Sequence, residues 1–222
     1  VTVTAGTVSG GGIDVRQDGY VSSPPVLGQK GPLGISAPGD PGPLSAIGYG
    51  PGIYVDSDSV TRTGDNNPGI NAVSADGFVS ITSGTVSTNG ANSDGIIADA
   101  YTDVAIDSGS VTTAGNDSSG ILATNRYGSI TINSGTVTTA RAGSLGIDAQ
   151  SVAGPISVTS ATVDTTGPSA IGINATSTYQ MVTVNNTSSI TTEGDNSTGI
   201  NAAGNYFTSV TSATIVTEGD NA

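Results

Sequence analysis

The sequence of 222 residues predicts an all-β fold: a right-handed parallel β-helix, or β-solenoid, with three short strands per coil and coils of about 26 residues. Three observations predict it. Short signatures recur in phase along the chain, β-branched residues alternate with period 2 inside each repeat, and the composition is too poor in large side chains to fill a round core.

The first signature is S-G-T-V and its variants. It starts at Ser57, Ser83, Ser108, Ser134, Ser160, Thr187 and Ser212, at steps of 26, 25, 26, 26, 27 and 25 residues. It ends on Val60, Val86, Val111, Val137, Val163, Ile190 and Ile215. The second is Gly-Ile-x-Ala, with Ile70, Ile96, Ile121, Ile147, Ile173 and Ile200 ten residues beyond the first anchor. The third is a pair of β-branched residues at i and i+2, such as Val79/Ile81, Ile130/Ile132 and Val182/Val184. Alternation of this kind, bounded by Gly, Asn, Asp and Ser, reads as half-buried strands. Thr, Ser, Gly and Asn are poor helix formers, and no long 3.6-residue stripe competes.

Such short strands cannot bury their apolar edges alone. Stacking one coil on the next buries them, with strands about 4.8 Å apart and connections of the usual right hand. The anchors of the first two signatures are therefore the expected core ladder, each side chain contributing roughly 1.5–3 kcal/mol when buried. Four residues past the first anchor stands Gly64, Gly90, Gly115, Gly167, Gly194 or Gly219, with Arg141 the exception. Glycine there opens a turn that needs positive φ.

The regular part is expected over 57–222, in coils 57–82, 83–107, 108–133, 134–159, 160–186, 187–211 and a partial 212–222. Residues 1–56 are irregular. There 1–8 reads as a third strand followed by a first strand, and 5–22 as a shortened coil. The stretch 31–37 matches 143–149, 53–57 matches a third strand, and 38–52, rich in Pro and Gly, reads as a loop thrown out of one coil. The chain opens on a third strand and stops before an expected Gly-Ile. The expectation is a segment of a longer solenoid, or one whose ends meet another copy.

Composition narrows function. Lys+Arg number 5 against 18 Asp+Glu, a net charge of −13, which disfavours nucleic acid and anionic membranes as partners. There is no Cys, so neither disulfides nor thiolate zinc sites are expected, and no His to work near neutral pH. No apolar run reaches about 18 residues, so direct membrane insertion by a helix of this segment is not expected. No basic, then apolar, signal segment opens the chain.

The phrase T-T-x-G-D-N-S-x-G-I-x-A followed by V-x-I-x-S-G-T-V, closest at 191–202 and 83–98, resembles the passenger repeats of large bacterial autotransporter adhesins. The resemblance covers most of the chain, clearly from Ser57 onward. It implies a right-handed β-helical stalk, exported through a C-terminal outer-membrane barrel and displayed on the cell. Freedom from Cys suits a chain threaded unfolded through a pore.

Candidate contact residues are few. Tyr101, Tyr127 and Tyr179 each precede a third strand by three residues, and Tyr206 and Phe78 lie close to the same place. They form either a corner ladder of stacked rings or an exposed stripe for host or matrix glycans. The outward pairs Thr85/Ser87, Ser110/Thr112, Thr136/Thr138 and Ser189/Thr191 resemble ice-binding arrays, interrupted by Asp164 and Val216; Thr also simply favours strands. Asp65, Asp117, Asp195 and Asp220 read as turn formers rather than Ca²⁺ ligands, since the nonapeptide and EF-hand patterns are missing. Arg16, Lys30, Arg62, Arg126 and Arg141 are the whole basic complement; carboxylates such as Asp99 and Asp103 could meet others across coils, but nothing in the spacing singles out a pair. No catalytic residue and no cofactor is expected. The leading expectation is a non-catalytic structural and adhesive segment of an extracellular bacterial surface protein, a rigid stalk whose partners are glycans or surface proteins. The alternatives are a filament subunit that self-associates end to end, and a β-helix that binds or cleaves polysaccharide.

Overall fold

The computed structural model describes residues 2–9, 13–17, 44–47 and 52–222. Its strands are β1 (Thr2–Ser9), β2 (Ile13–Gln17), β3 (Leu44–Ile47), β4 (Gly52–Thr63), β5 (Ile70–Ser74), β6 (Phe78–Asn89), β7 (Ile96–Ala100), β8 (Val104–Thr113), β9 (Ile121–Asn125), β10 (Ile130–Ala140), β11 (Leu145–Ser151), β12 (Ile156–Thr166), β13 (Ile171–Ser177), β14 (Val182–Glu193), β15 (Thr198–Gly204), β16 (Thr208–Ser212) and β17 (Ile215–Glu218). They form two sheets. One runs β1-β4-β6-β8-β10-β12-β14-β16, with β17 also on β14; the other runs β3-β2-β5-β7-β9-β11-β13-β15. Pairing is parallel throughout, for example β8 with β10 and β9 with β11. From β4 to β15 the chain alternates between the sheets, and the coils stack about 26 residues apart into a β-solenoid of about six turns.

All three segments of each repeat are extended, but the third segment of one coil and the first of the next run on as one strand of 10 to 12 residues. Hydrogen bonding thus joins the three segments into two strands per coil. The junction is a local lapse rather than a turn. Ser57 pairs with Ser83 and Ser59 with Thr85, while Asp58 and Gly84 drop out of the ladder. Burial then jumps three residues, from Ser57 to Val60, before the alternation resumes.

Like side chains meet like along each row. Ile70, Ile96, Ile121, Ile147, Ile173 and Ile200 pair in succession. Val60, Val86, Val111, Val137, Val163, Ile190 and Ile215 do the same in the facing sheet. All are buried except at the last described level, where Ile200 is partly covered and Ile215 exposed. The Gly before each of these isoleucines has a packing reason. A Cβ on Gly120 would lie 2.4 Å from a Val137 methyl and 2.6 Å from the Gly146 carbonyl. The two sheets approach too closely at that edge for any side chain.

A polar row runs beside the apolar ones. Thr88, Thr113, Thr139, Thr165 and Thr192 point inward and are buried, and Arg62 holds the same row at the first regular level, donating to Asn67 Oδ1 at 3.0 Å. Beside it stands a file of serines. Ser118 Oγ accepts from Ser93 N–H at 2.9 Å and donates to Gly90 O at 3.1 Å. Ser93 accepts from Asn67 and donates to Gly64, Ser144 accepts from Ser118 and donates to Gly115, and Ser197 accepts from Ala170 and donates to Gly167. Ala170 breaks the file and is fully buried. Each hydroxyl satisfies one amide and one carbonyl that a buried turn would otherwise leave open.

Two irregularities stand out. The glycine that opens the turn has φ of 98° at Gly64, 126° at Gly194 and 131° at Gly219, and Arg141 adopts 111° in the same position; Gly115 departs from the expectation, lacking positive φ, and is glycine there for room, since a Cβ would strike the Gly90 carbonyl. A side chain in that region is strained. The second is a bulge: Ser160 pairs with Asn186, then Thr162 with Ser189. Asn186, rather than Thr187, therefore occupies the signature's first position. Its amide donates to Ser160 Oγ and to the Ala161 and Ser189 carbonyls, which holds the extra residue in place.

At the N-terminal end Val3 pairs with Val55 and Val8 with Val60, the third-then-first order read from 1–8. Ile13 and Val15 pair with Ile70 and Ala72, so β2 extends the Gly-Ile row. The match at 31–37 lies outside the described residues. Inside 38–52, expected as a loop, Leu44–Ile47 is a strand on the far side of β2; the remainder up to residue 51 is also outside them.

The serine file predicts opposite effects at two positions. Ser118→Ala should destabilise the chain by about 1–3 kcal/mol, whereas Ala170→Ser should add a rung and gain about 0.5–1.5 kcal/mol, both read from denaturant midpoints. Equal, small changes at both sites would count against the file. Arg141→Gly should raise the midpoint by about 1 kcal/mol through relief of backbone strain, since its N–H bond to Thr166 O does not need the side chain.

Candidate functional site

The expected tyrosines do not form one stripe. Tyr101 and Tyr127 meet edge to face, ring centroids 5.2 Å apart and planes at 60°. The next position up, three residues before Ile156, is Ala153, so the file is broken before Tyr179. Tyr101, Tyr127, Tyr179 and Tyr206 are 42, 47, 56 and 77% exposed, so all four rings reach solvent. Phe78 pairs instead with Tyr54, at 4.9 Å and 75°, on a neighbouring part of the surface.

The turn that carries Tyr101 is one residue shorter than its neighbours. Ala100 to Val104 spans the rows that Ser74 to Val79 and Asn125 to Ile130 span with one residue more. An open groove of about 380 Å³ lies here, lined by Tyr101, Asp99, Thr124, Asn125, Arg126 and Val152 among others. Asp99 accepts a hydrogen bond from Thr124 Oγ1 at 2.8 Å. Asn125 is buried; its Nδ2 donates to Thr102 O at 2.8 Å and Tyr127 O at 3.0 Å, which fixes the turn under the ring pair. Val152 is not among the residues the sequence points to, and Arg126 enters there only as part of the basic complement. The signal was the 25-residue step between Ser83 and Ser108, which marks the shortened coil.

The Thr- and Ser-rich outward rows are in register: Thr85, Ser110, Thr136, Thr162 and Ser189, with Ser87, Thr112, Thr138, Asp164, Thr191 and Val216 beside them. A shallow trough of about 180 Å³ crosses the adjoining face, lined by Ser80, Thr82, Ala105, Asp107, Thr131 and Asn133.

The carboxylates serve coil-to-coil bonding. Asp65 accepts from Ala91 N–H, Asp195 from Asp220 N–H, and Asp103 from the N–H and hydroxyl of Ser129. Asp117 has φ of 51°, a turn position. Asp148, buried, accepts from Asn174 and Gln150, and Asn174 in turn accepts from Asn201. Among the described residues no group of three or more His, Cys, Asp or Glu is placed to hold a metal ion. Nor is any helix there long and apolar enough to cross a membrane.

Compared with known proteins, the chain matches no family model, no curated protein and no solved structure.

One carboxylate is out of balance. Burial pushes the Asp94 carboxyl above its ordinary value of 3.8, the Asp148 charge adds to the rise, and a bond from Ser119 N–H opposes it. The folded state therefore takes up this proton before the unfolded state as pH falls. Ionised Asp94 destabilises the fold at neutral pH, and that effect fades as pH drops through the raised value and is gone below 3.8. Asp94→Asn, which keeps an oxygen for Ser119, should melt higher than the wild type at pH 7, with the gain disappearing below the ordinary value. A constant offset at every pH would contradict the assignment.

Proposed function

We propose that this chain is a non-catalytic segment of an extracellular bacterial surface protein, a rigid stalk that presents binding surfaces. The continuous pairing of the Ile row, and of the Val row across the one bulge at Asn186, carries the reading: each coil seats on an almost identical coil, a geometry that extends a rod without enclosing an active site. The Thr-, Ser- and Asn-rich exterior supports a hydrated spacer. The placement of Asp99 and Asp103, each held by a group of the next coil, supports a role in bracing rather than in acid–base chemistry. The likeness to autotransporter passenger repeats supplies the location, the cell exterior, and the partners, glycans or proteins of a host or matrix.

Antibodies raised against the purified chain should label unpermeabilised cells of the source organism, and added protease should strip the label. Signal seen only after permeabilisation would overturn the reading.

A further inference from the structure

We propose that the groove beside Tyr101 binds a neutral saccharide. The inference deepens the reading above, on which it rests for a glycan partner, by naming the site and the class of sugar. Three features of the groove converge on a sugar. The first is the platform. The Tyr101 ring is exposed yet braced edge to face by Tyr127, so it offers an apolar surface to the C–H face of a pyranose with little rotamer freedom left to lose. The second is the polar rim. Asp99 is already oriented by Thr124, and Arg126 is an exposed planar fork with no ion pair among the described residues. A carboxylate acceptor and a guanidinium donor fork suit neighbouring hydroxyls, which both donate and accept.

The third feature is the floor. Asn125, buried, donates through Nδ2 to Thr102 O and Tyr127 O, so the turn beneath the ring pair is fixed before anything binds. The cavity, about 380 Å³, falls near the lower end of the roughly 300–1,000 Å³ range of ligand pockets, the size for one or two sugar units. Charge selects between sugar classes. The chain carries −13 overall, and Asp99 and Asp103 stand on this corner with Arg126 among the described residues. That field repels uronic and sulfated glycans and leaves neutral ones.

The test is titration of the whole chain, by ligand-detected NMR, with maltohexaose, cellohexaose, xylohexaose and mannohexaose, and with polygalacturonate and heparin as acidic probes. At least one neutral oligosaccharide should bind. Tyr101→Ala should weaken it about tenfold, Tyr101→Phe should keep it, and Tyr179→Ala on the far side of the Ala153 gap should leave it unchanged. Arg126→Ala, which leaves the ring pair intact, should also weaken binding and carries the test if Tyr101→Ala does not fold. Absence of neutral-sugar binding, preference for the acidic probes, or wild-type binding by both Tyr101→Ala and Arg126→Ala would each overturn the proposal.

Discussion

Register is the constraint from which the rest of this molecule follows. A parallel ladder between successive coils leaves each backbone amide and each inward side chain facing its own counterpart one repeat away. Any residue that suits one level must then suit the next. The isoleucine file, the serine file and the glycine that precedes each isoleucine are three answers to that condition. One is apolar burial, one is hydrogen-bond satisfaction, and one is bare steric room. The conformational entropy of ordering so many small residues is offset because the isoleucine and its glycine recur at every regular level and the serine at most of them.

Much of this was legible in the sequence. Val86, Val111 and Val137, or Ile96, Ile121 and Ile147, announce a ladder because β-branched residues at a fixed period have little else to do in so small-residued a chain. The junction between third and first segments was not legible as a continuous strand. Ser-Gly looks like a turn, and the burial phase does slip there, but the ladder lapses for one residue only. The bulge at Asn186 was hidden because the hydrophobic anchors alone fix the alignment, and they allow the extra residue on either side. The role of β2 was obscured by Val15, which stands where every regular coil has alanine. The serine file went unseen because nothing in the sequence tells its hydroxyls from the many other Ser and Thr of each repeat, buried and exposed alike.

The surface was harder to read than the core. Spacing from the third strand put the tyrosines in one file, yet the file holds only where consecutive levels both carry a ring. Ala153 interrupts it, and a coil one residue short opens the groove beside the pair that remains. Surface chemistry in a solenoid is thus set by departures from the repeat, while the core is set by obedience to it. Arg141 belongs to the same class of departures: a strained side chain in a position its counterparts fill with glycine.

The single-residue length changes fall in turns or at the bulge, where the ladder lapses in every coil, and this bears on how such a chain can evolve. A stretch of gene encoding one whole coil can be duplicated or lost by unequal crossing-over without disturbing the partners of the coils that remain. Reach can therefore be adjusted generation by generation, while the corners diversify independently of length.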